Sequence, residues 1–242
     1  QGTMGKYYAQ HDGESADVAQ AIEDQYRPRF SGDKLPEGNI GCGVAIADKV
    51  DTLVGIFGIN QPPKGDKDPF ALRRAAIGLI RIIIEKDLPL DIAELVQQSI
   101  DSYEDKLTND KTLSDVISFV MGRFKAFYQE QGITVDVIQA VLAKSPTAPL
   151  DFDKRIKAVS HFKTLPESAT LAAANKRVGN ILAKFDGELF EGFDLALAEE
   201  AVENELSSVY LSAQSKVAPA IEGKDYQLAL TELAALKAPI DA

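Results

Sequence analysis

One cysteine and two histidines are all that the 242 residues offer of the side chains that most readily hold transition metals. A lone Cys42 closes no intramolecular disulfide and assembles no thiolate zinc site, so stability must come from a packed core, which suits a reducing cytoplasm. Long apolar runs are missing too. Stretches such as residues 40–47 end at a charged or polar residue, well short of the roughly 18 needed to span a bilayer. The first residues, Gln1-Gly2-Thr3-Met4, carry no charged leader with an apolar core and no methionine at position 1, so the chain is expected to be a piece of something larger.

Basic charge is the scarcer sign, with 26 Lys and Arg against 37 Asp and Glu and a formal net charge of −11. That balance excludes a uniformly basic nucleic-acid binder, although a net figure averages over local patches. What the chain has in quantity is apolar content, 45%, enough for a buried core.

Hydrophobic periodicity is helical almost throughout, and no stretch alternates like a half-buried strand. The fold class is therefore all-α, with helices expected over 15–27, 41–58, 69–86, 91–105, 113–131, 134–144, 151–163, 167–185, 194–221 and 225–238. Asp68-Pro69 reads as a helix start, the carboxylate capping free N–H groups and the proline sitting where no N–H is needed. Leu72, Ala76, Leu79, Ile80 and Ile83 then share one face, with Arg74 and Arg81 elsewhere. Asp151 and Asp194 read as caps, and Pro166-Glu167 as the opening of another helix. Breaks at 60–66, 86–90 and 145–150 are rich in Pro and Gly or turn residues. The expected domains are 1–90 and 91–242.

Both halves are acidic, but the second is uneven. Lys154, Arg155, Lys157, Lys163, Lys176, Arg177 and Lys184 lie in one stretch with Glu167 as its only acid, and 186–205 then holds eight acids and no Lys or Arg. If Leu171, Ala174, Val178, Ile181 and Phe185 face the core, Lys176, Asn180 and Lys184 form a polar stripe on the opposite side. Phe152, Ile156 and Val159 likewise turn Lys154, Lys157 and His161 outward. Two basic stripes flanking one groove would suit a phosphate backbone, with Asn180 available to a base edge or a 2′-OH. The alternative is a pair of ordinary solvated faces.

His11-Asp12, with Asp48 and Asp51 later, suggests a metal-dependent phosphohydrolase of the His-Asp type, its centre at His11, Asp12 and Asp51. The chemistry resists it, because such a site needs at least two imidazoles with its carboxylates, and the second histidine, His161, lies in the basic region. The pair is expected to be structural, a polar cap or a buried hydrogen-bonded couple. No Walker loop, G-x-G-x-x-G, G-x-S-x-G or H-E-x-x-H is present. Cys42 reads as a small buried helix residue, and Phe119, Phe124, Phe127 and Tyr128 as core. A scaffold without RNA affinity, its acidic run meeting a basic partner, is the third reading.

Four blocks carry a resemblance: residues 5–14 (Gly-Lys-Tyr-Tyr-Ala-Gln-His-Asp-Gly-Glu), 45–53 (Ala-Ile-Ala-Asp-Lys-Val-Asp-Thr-Leu), 65–74 (Gly-Asp-Lys-Asp-Pro-Phe-Ala-Leu-Arg-Arg) and 172–182 (Ala-Ala-Ala-Asn-Lys-Arg-Val-Gly-Asn-Ile-Leu). In that order they make the chain resemble the carboxy-terminal part of the β subunit of bacterial heterotetrameric glycyl-tRNA synthetase. The resemblance implies a degenerate His-Asp-type helical domain followed by an anticodon-binding-type bundle like those of arginyl- and cysteinyl-tRNA synthetases. It implies tRNA(Gly) and an α subunit as partners in an α2β2 complex, with neither DNA nor membrane. ATP and Mg would be used through the α subunit, with no cofactor and no catalytic residue in this chain. On the same ground Lys154, Arg155, Lys157, Lys163, Lys176, Arg177, Asn180 and Lys184 are the expected tRNA contacts.

Overall fold

The computed structural model describes residues 1–187 and 200–241. Among them every regular element is helical, apart from one isolated antiparallel bridge between Lys64 and Lys67. The chain forms two compact units, Gln1–Asp153 and Lys154–Ala242. The break expected near residue 90 falls inside the first unit, at a turn, because the helices that follow pack back on those that precede it.

The first unit contains α1 (Gly2–His11), α2 (Ala16–Asp24), α3 (Gly38–Gly58), α4 (Leu72–Glu85), α5 (Ile92–Ser102), α6 (Thr112–Glu130) and α7 (Val135–Leu142). It closes with the start of α8 (Pro149–Thr164), whose first residue is a proline where no N–H is required. Consecutive helices α1 to α4 pack in pairs, and α5 and α6 return against α3 and α4. The stripe read from the α4 sequence is its core face: Leu72, Ala76, Leu79, Ile80 and Ile83 are all fully buried. Each of these leucines and isoleucines contributes about 1.5–3 kcal/mol by leaving water. Beneath them Phe124, Tyr128 and Phe152 form a stack, with Phe124 and Phe152 centroids 4.3 Å apart.

Helix starts show where side chains replace missing backbone partners. Ser15 Oγ accepts from Val18 N, and Asp91 accepts from Ala93 N at 2.7 Å and from Thr147 Oγ1 at 2.6 Å. Asp68 caps α4 as expected, accepting from Leu72 N and Arg73 N at 2.8 and 2.9 Å. The helix nevertheless starts at Leu72 rather than at Pro69, because Ala71 takes a left-handed conformation with φ 55°. Asp151 lies within the first turn of α8 rather than at its cap, and Glu167 is the N-cap residue of the following helix. Asp194 lies outside the described residues.

The second unit holds the rest of α8 with α9 (Ser168–Leu182), α10 (Ala201–Glu222), α11 (Tyr226–Ala234) and α12 (Lys237–Asp241). Helix α10 packs on α11 and α12, and α12 also meets α9. Asp225 caps α11 through Leu228 N, and Glu200 with Glu203 forms a capping box on α10.

Candidate functional site

Helix α9 carries the stripe that the sequence placed there, in different surroundings. Lys176, Arg177, Asn180 and Lys184 line one shallow groove of about 380 Å³ with Ala173 and Ile181. Lys176 and Asn180, four apart, lie over one another on the helix, and Lys184 continues the row from the turn just past its end. Lys176, Asn180 and Lys184 are exposed, and their side chains make no hydrogen bond or ion pair among the described residues. The opposite face is not core. Of the residues expected inward only Ala174 is buried and Leu171 is half-buried, while Val178, Ile181 and Phe185 are exposed along with Leu182. Periodicity shows that a helix has an apolar side but not whether anything covers it.

The cations of α8 divide. Phe152 and Ile156 are buried and Val159 is half-buried, which leaves Lys154, Lys157 and His161 exposed as expected. Lys157 and Lys163 are exposed, and each has an interaction within the structure. Arg155 is half-buried: its guanidinium lies 4.1 Å from the Tyr226 ring centroid, and its Nη2 donates to the Tyr226 hydroxyl at 2.8 Å. It therefore ties α8 to α11. Arg177 Nη2 similarly donates to Ile240 O at 3.1 Å, joining α9 to α12. The α8 lysines do not line the α9 groove, so the expected pair of stripes around one groove is a single-helix feature.

The His-Asp pair holds no metal arrangement. His11 ends α1 and Asp12 is its C-cap residue, and their side chains are 88% and 74% exposed with Nδ1 and Oδ1 3.4 Å apart. The pair is thus a solvated helix end, and the buried form of the expectation is corrected. Asp51 is exposed on α3, where its carbonyl accepts from the Tyr103 hydroxyl. Among the described residues no three His, Cys, Asp or Glu side chains come together as metal ligands. These residues do not fit a divalent metal that must be held while it activates water.

Sequence reasoning missed a cluster in the first unit. Lys49 is buried in α3, and its ammonium donates to Arg27 O at 2.7 Å and to Gln25 O and Ala45 O at 3.3 Å. Burial pulls its pKa down to about 8, against the opposing charge of Asp48. Its stem passes Gly78 of α4, where a Cβ would come 2.9 Å from Lys49 Cε. Further cations hold the loop between α2 and α3 by its carbonyls: Arg74 donates to Arg29 O at 2.9 Å and Arg81 to Asp33 O at 3.2 Å. The Arg29 guanidinium in turn holds the Asp33 carboxyl well below the usual carboxylate range. Residues from α1, this loop, α3 and the start of α4 wall a cavity of about 650 Å³. A charged residue at an inward helical position was its one sequence signal, and the facing Gly78 is too far along the chain to be paired with it by inspection.

A family model described as glycyl-tRNA synthetase beta subunit matches residues 1–143. The glycine–tRNA ligase beta subunit of Colwellia psychrerythraea is 70% identical over 241 residues, covering 100% of this chain and 35% of the relative. Those of Tolumonas auensis and Edwardsiella ictaluri are 58% and 57% identical with the same coverage. The chain thus spans about a third of the length of these relatives.

Proposed function

Since the chain belongs to the glycyl-tRNA synthetase beta subunit family, we propose that it is the tRNA-binding portion of such a subunit, supporting ATP-dependent attachment of glycine to tRNA(Gly). The adenylate-forming chemistry, with ATP and Mg, is assigned to an α subunit in an α2β2 enzyme working in the cytoplasm. This chain contributes RNA contacts and no catalytic group. Among its described residues no helix is long and apolar enough to cross a membrane.

The observation that carries the reading is the row Lys176, Asn180 and Lys184, three polar side chains with no partner among the described residues of an acidic protein. Two lysines eight residues apart, Lys176 and Lys184, place ammonium groups along a backbone of phosphates and release counterions on binding. Asn180 between them offers both a donor and an acceptor to a base edge or a 2′-hydroxyl. The second unit is then read as an anticodon-binding-type bundle, and the first as a His-Asp-type helical domain that has lost its metal chemistry. Lys154, Lys157 and Lys163 extend the electrostatic field, while Arg155 and Arg177 set helix positions.

Charge reversal at Lys176 and Lys184 in the complete α2β2 enzyme tests this. Loss of tRNA(Gly) affinity with glycine activation intact supports it, and unchanged affinity rejects it. The phosphohydrolase reading has no metal cluster to stand on among the described residues. The scaffold reading rests on the acidic run at 186–205, of which 188–199 lie outside the described residues.

A further inference from the structure

The cavity of the first unit gathers cations in an otherwise acidic chain. Its volume of about 650 Å³ falls within the roughly 300–1,000 Å³ usual for small-molecule and cofactor sites. In a chain of net charge −11, its wall carries Arg27, Arg29, Lys49 and Arg74 against Glu23 and Asp48.

Two of the cations are neutralised by acids that do not line the cavity. Arg29 is held by Asp33 at 2.9 Å, and Arg27 Nη1 lies 3.0 Å from Asp24 Oδ1, without hydrogen-bond alignment. Glu23 is already engaged by Lys6 and Thr3. Lys49 is different: 5% exposed, it makes no ion pair among the described residues and spends its protons on three carbonyls. A buried charge is ordinarily matched by an opposite one, and here the neighbouring Asp48 acts on it electrostatically without forming an ion pair among the described residues. Arg74, at the exposed rim, uses one of its five N–H groups, on Arg29 O, and the others are available to an anion.

The remaining wall is neither basic nor inert. Phe70 and Tyr26 line the same space and stay 45% and 38% exposed, and Phe70 meets no other ring among the described residues. Asp48 and Thr52 also line it and make no side-chain hydrogen bond among the described residues. A bare anion would leave the rings and the acceptors unused. An uncharged aromatic molecule would leave Lys49 without an ion-pair partner.

We infer that this cavity binds a mononucleotide, with its phosphate at Arg74 and above the Lys49 charge, its base against Phe70 and Tyr26, and its sugar hydroxyls toward Asp48 and Thr52.

The test titrates the 242-residue chain with adenosine and guanosine monophosphates, with adenosine and with inorganic phosphate, read by calorimetry and by saturation transfer to the ligand. At least one monophosphate should bind about tenfold more tightly than adenosine or phosphate, and Arg74→Glu should weaken it about tenfold or more. Phe70→Ala should weaken it several-fold, and Lys184→Glu should leave it unchanged. The inference is overturned by absence of binding at millimolar nucleotide or by phosphate binding as tightly as the nucleotides. It is equally overturned by affinity that survives Arg74→Glu or Phe70→Ala, or that falls with Lys184→Glu. Phe70 is a surface residue, so its variant keeps the test decisive even if Arg74→Glu disturbs the loop that Arg74 holds.

Discussion

The Tyr128 hydroxyl donates a 2.9 Å hydrogen bond to Asp153 Oδ1, with both side chains buried, and so fastens α6 to the first turns of α8. Burial, joined by the Asp153 carboxylate, pushes the phenol far above its usual pKa and so favours the protonated, donating form. Removing the donor leaves a buried carboxylate one partner short. Tyr128→Phe should therefore cost about 1–3 kcal/mol in urea unfolding, and Asp153→Asn, which can still accept, should cost less.

Asp33 should set part of the acid sensitivity of the first unit. Its folded pKa lies below the ordinary 3.8, chiefly through the Arg29 side-chain hydrogen bond and despite burial. The unfolded chain thus takes up this proton first as pH falls. The stabilisation is complete above about pH 4 and declines below it. Comparing unfolding of the native chain with Asp33→Asn at pH 6, 4 and 3 should show a difference of about 1–3 kcal/mol at pH 6, shrinking as the acid increases.

Lys49 should act in a separate, alkaline pH range with the same sign of slope. Its folded pKa is about 8 against 10.5 in the open chain, because burial disfavours the ammonium. Between those values the folded state binds fewer protons, so stability rises with pH through that window. The full shift corresponds to about 3 kcal/mol, an upper bound because the three carbonyls favour the charged form. Lys49→Met should flatten this rise, measured as the difference between the two proteins from pH 7 to 10.5.

Salt dependence should separate the cations that touch RNA from those that position helices. Lys176→Ala or Lys184→Ala in the complete enzyme should reduce the slope of log affinity for tRNA(Gly) against log salt by about 0.7–0.9 each. Arg155→Met should leave that slope unchanged and lower the unfolding midpoint, because the stack on Tyr226 is lost.

Much of the fold is legible where burial follows apolar spacing. The α4 stripe is the clearest instance, every expected position being fully buried. Helix α1 is not legible, because its contact face is built from absent side chains. Gly2 and Gly5 come so close to α2 that a Cβ would stand 2.9 Å from Tyr26 and 2.7 Å from Ile22, and glycines give no hydrophobic signal. The α9 stripe was legible in its spacing but not in its surroundings, since Val178 and Ile181 have the apolar period and yet face outward. Lys49 was illegible as a buried group because its environment is made of carbonyls, and every sequence has carbonyls.

The contact of Gly78 with the Lys49 stem also constrains how this protein can change. Alanine at 78 collides with the lysine, while a shorter residue at 49 alone leaves three carbonyls facing an empty channel. Each substitution should be costly alone and less costly with the other, so the two positions drift as one unit. A double-mutant cycle with Gly78→Ala and Lys49→Ala should return a non-additive, mutually compensating pair.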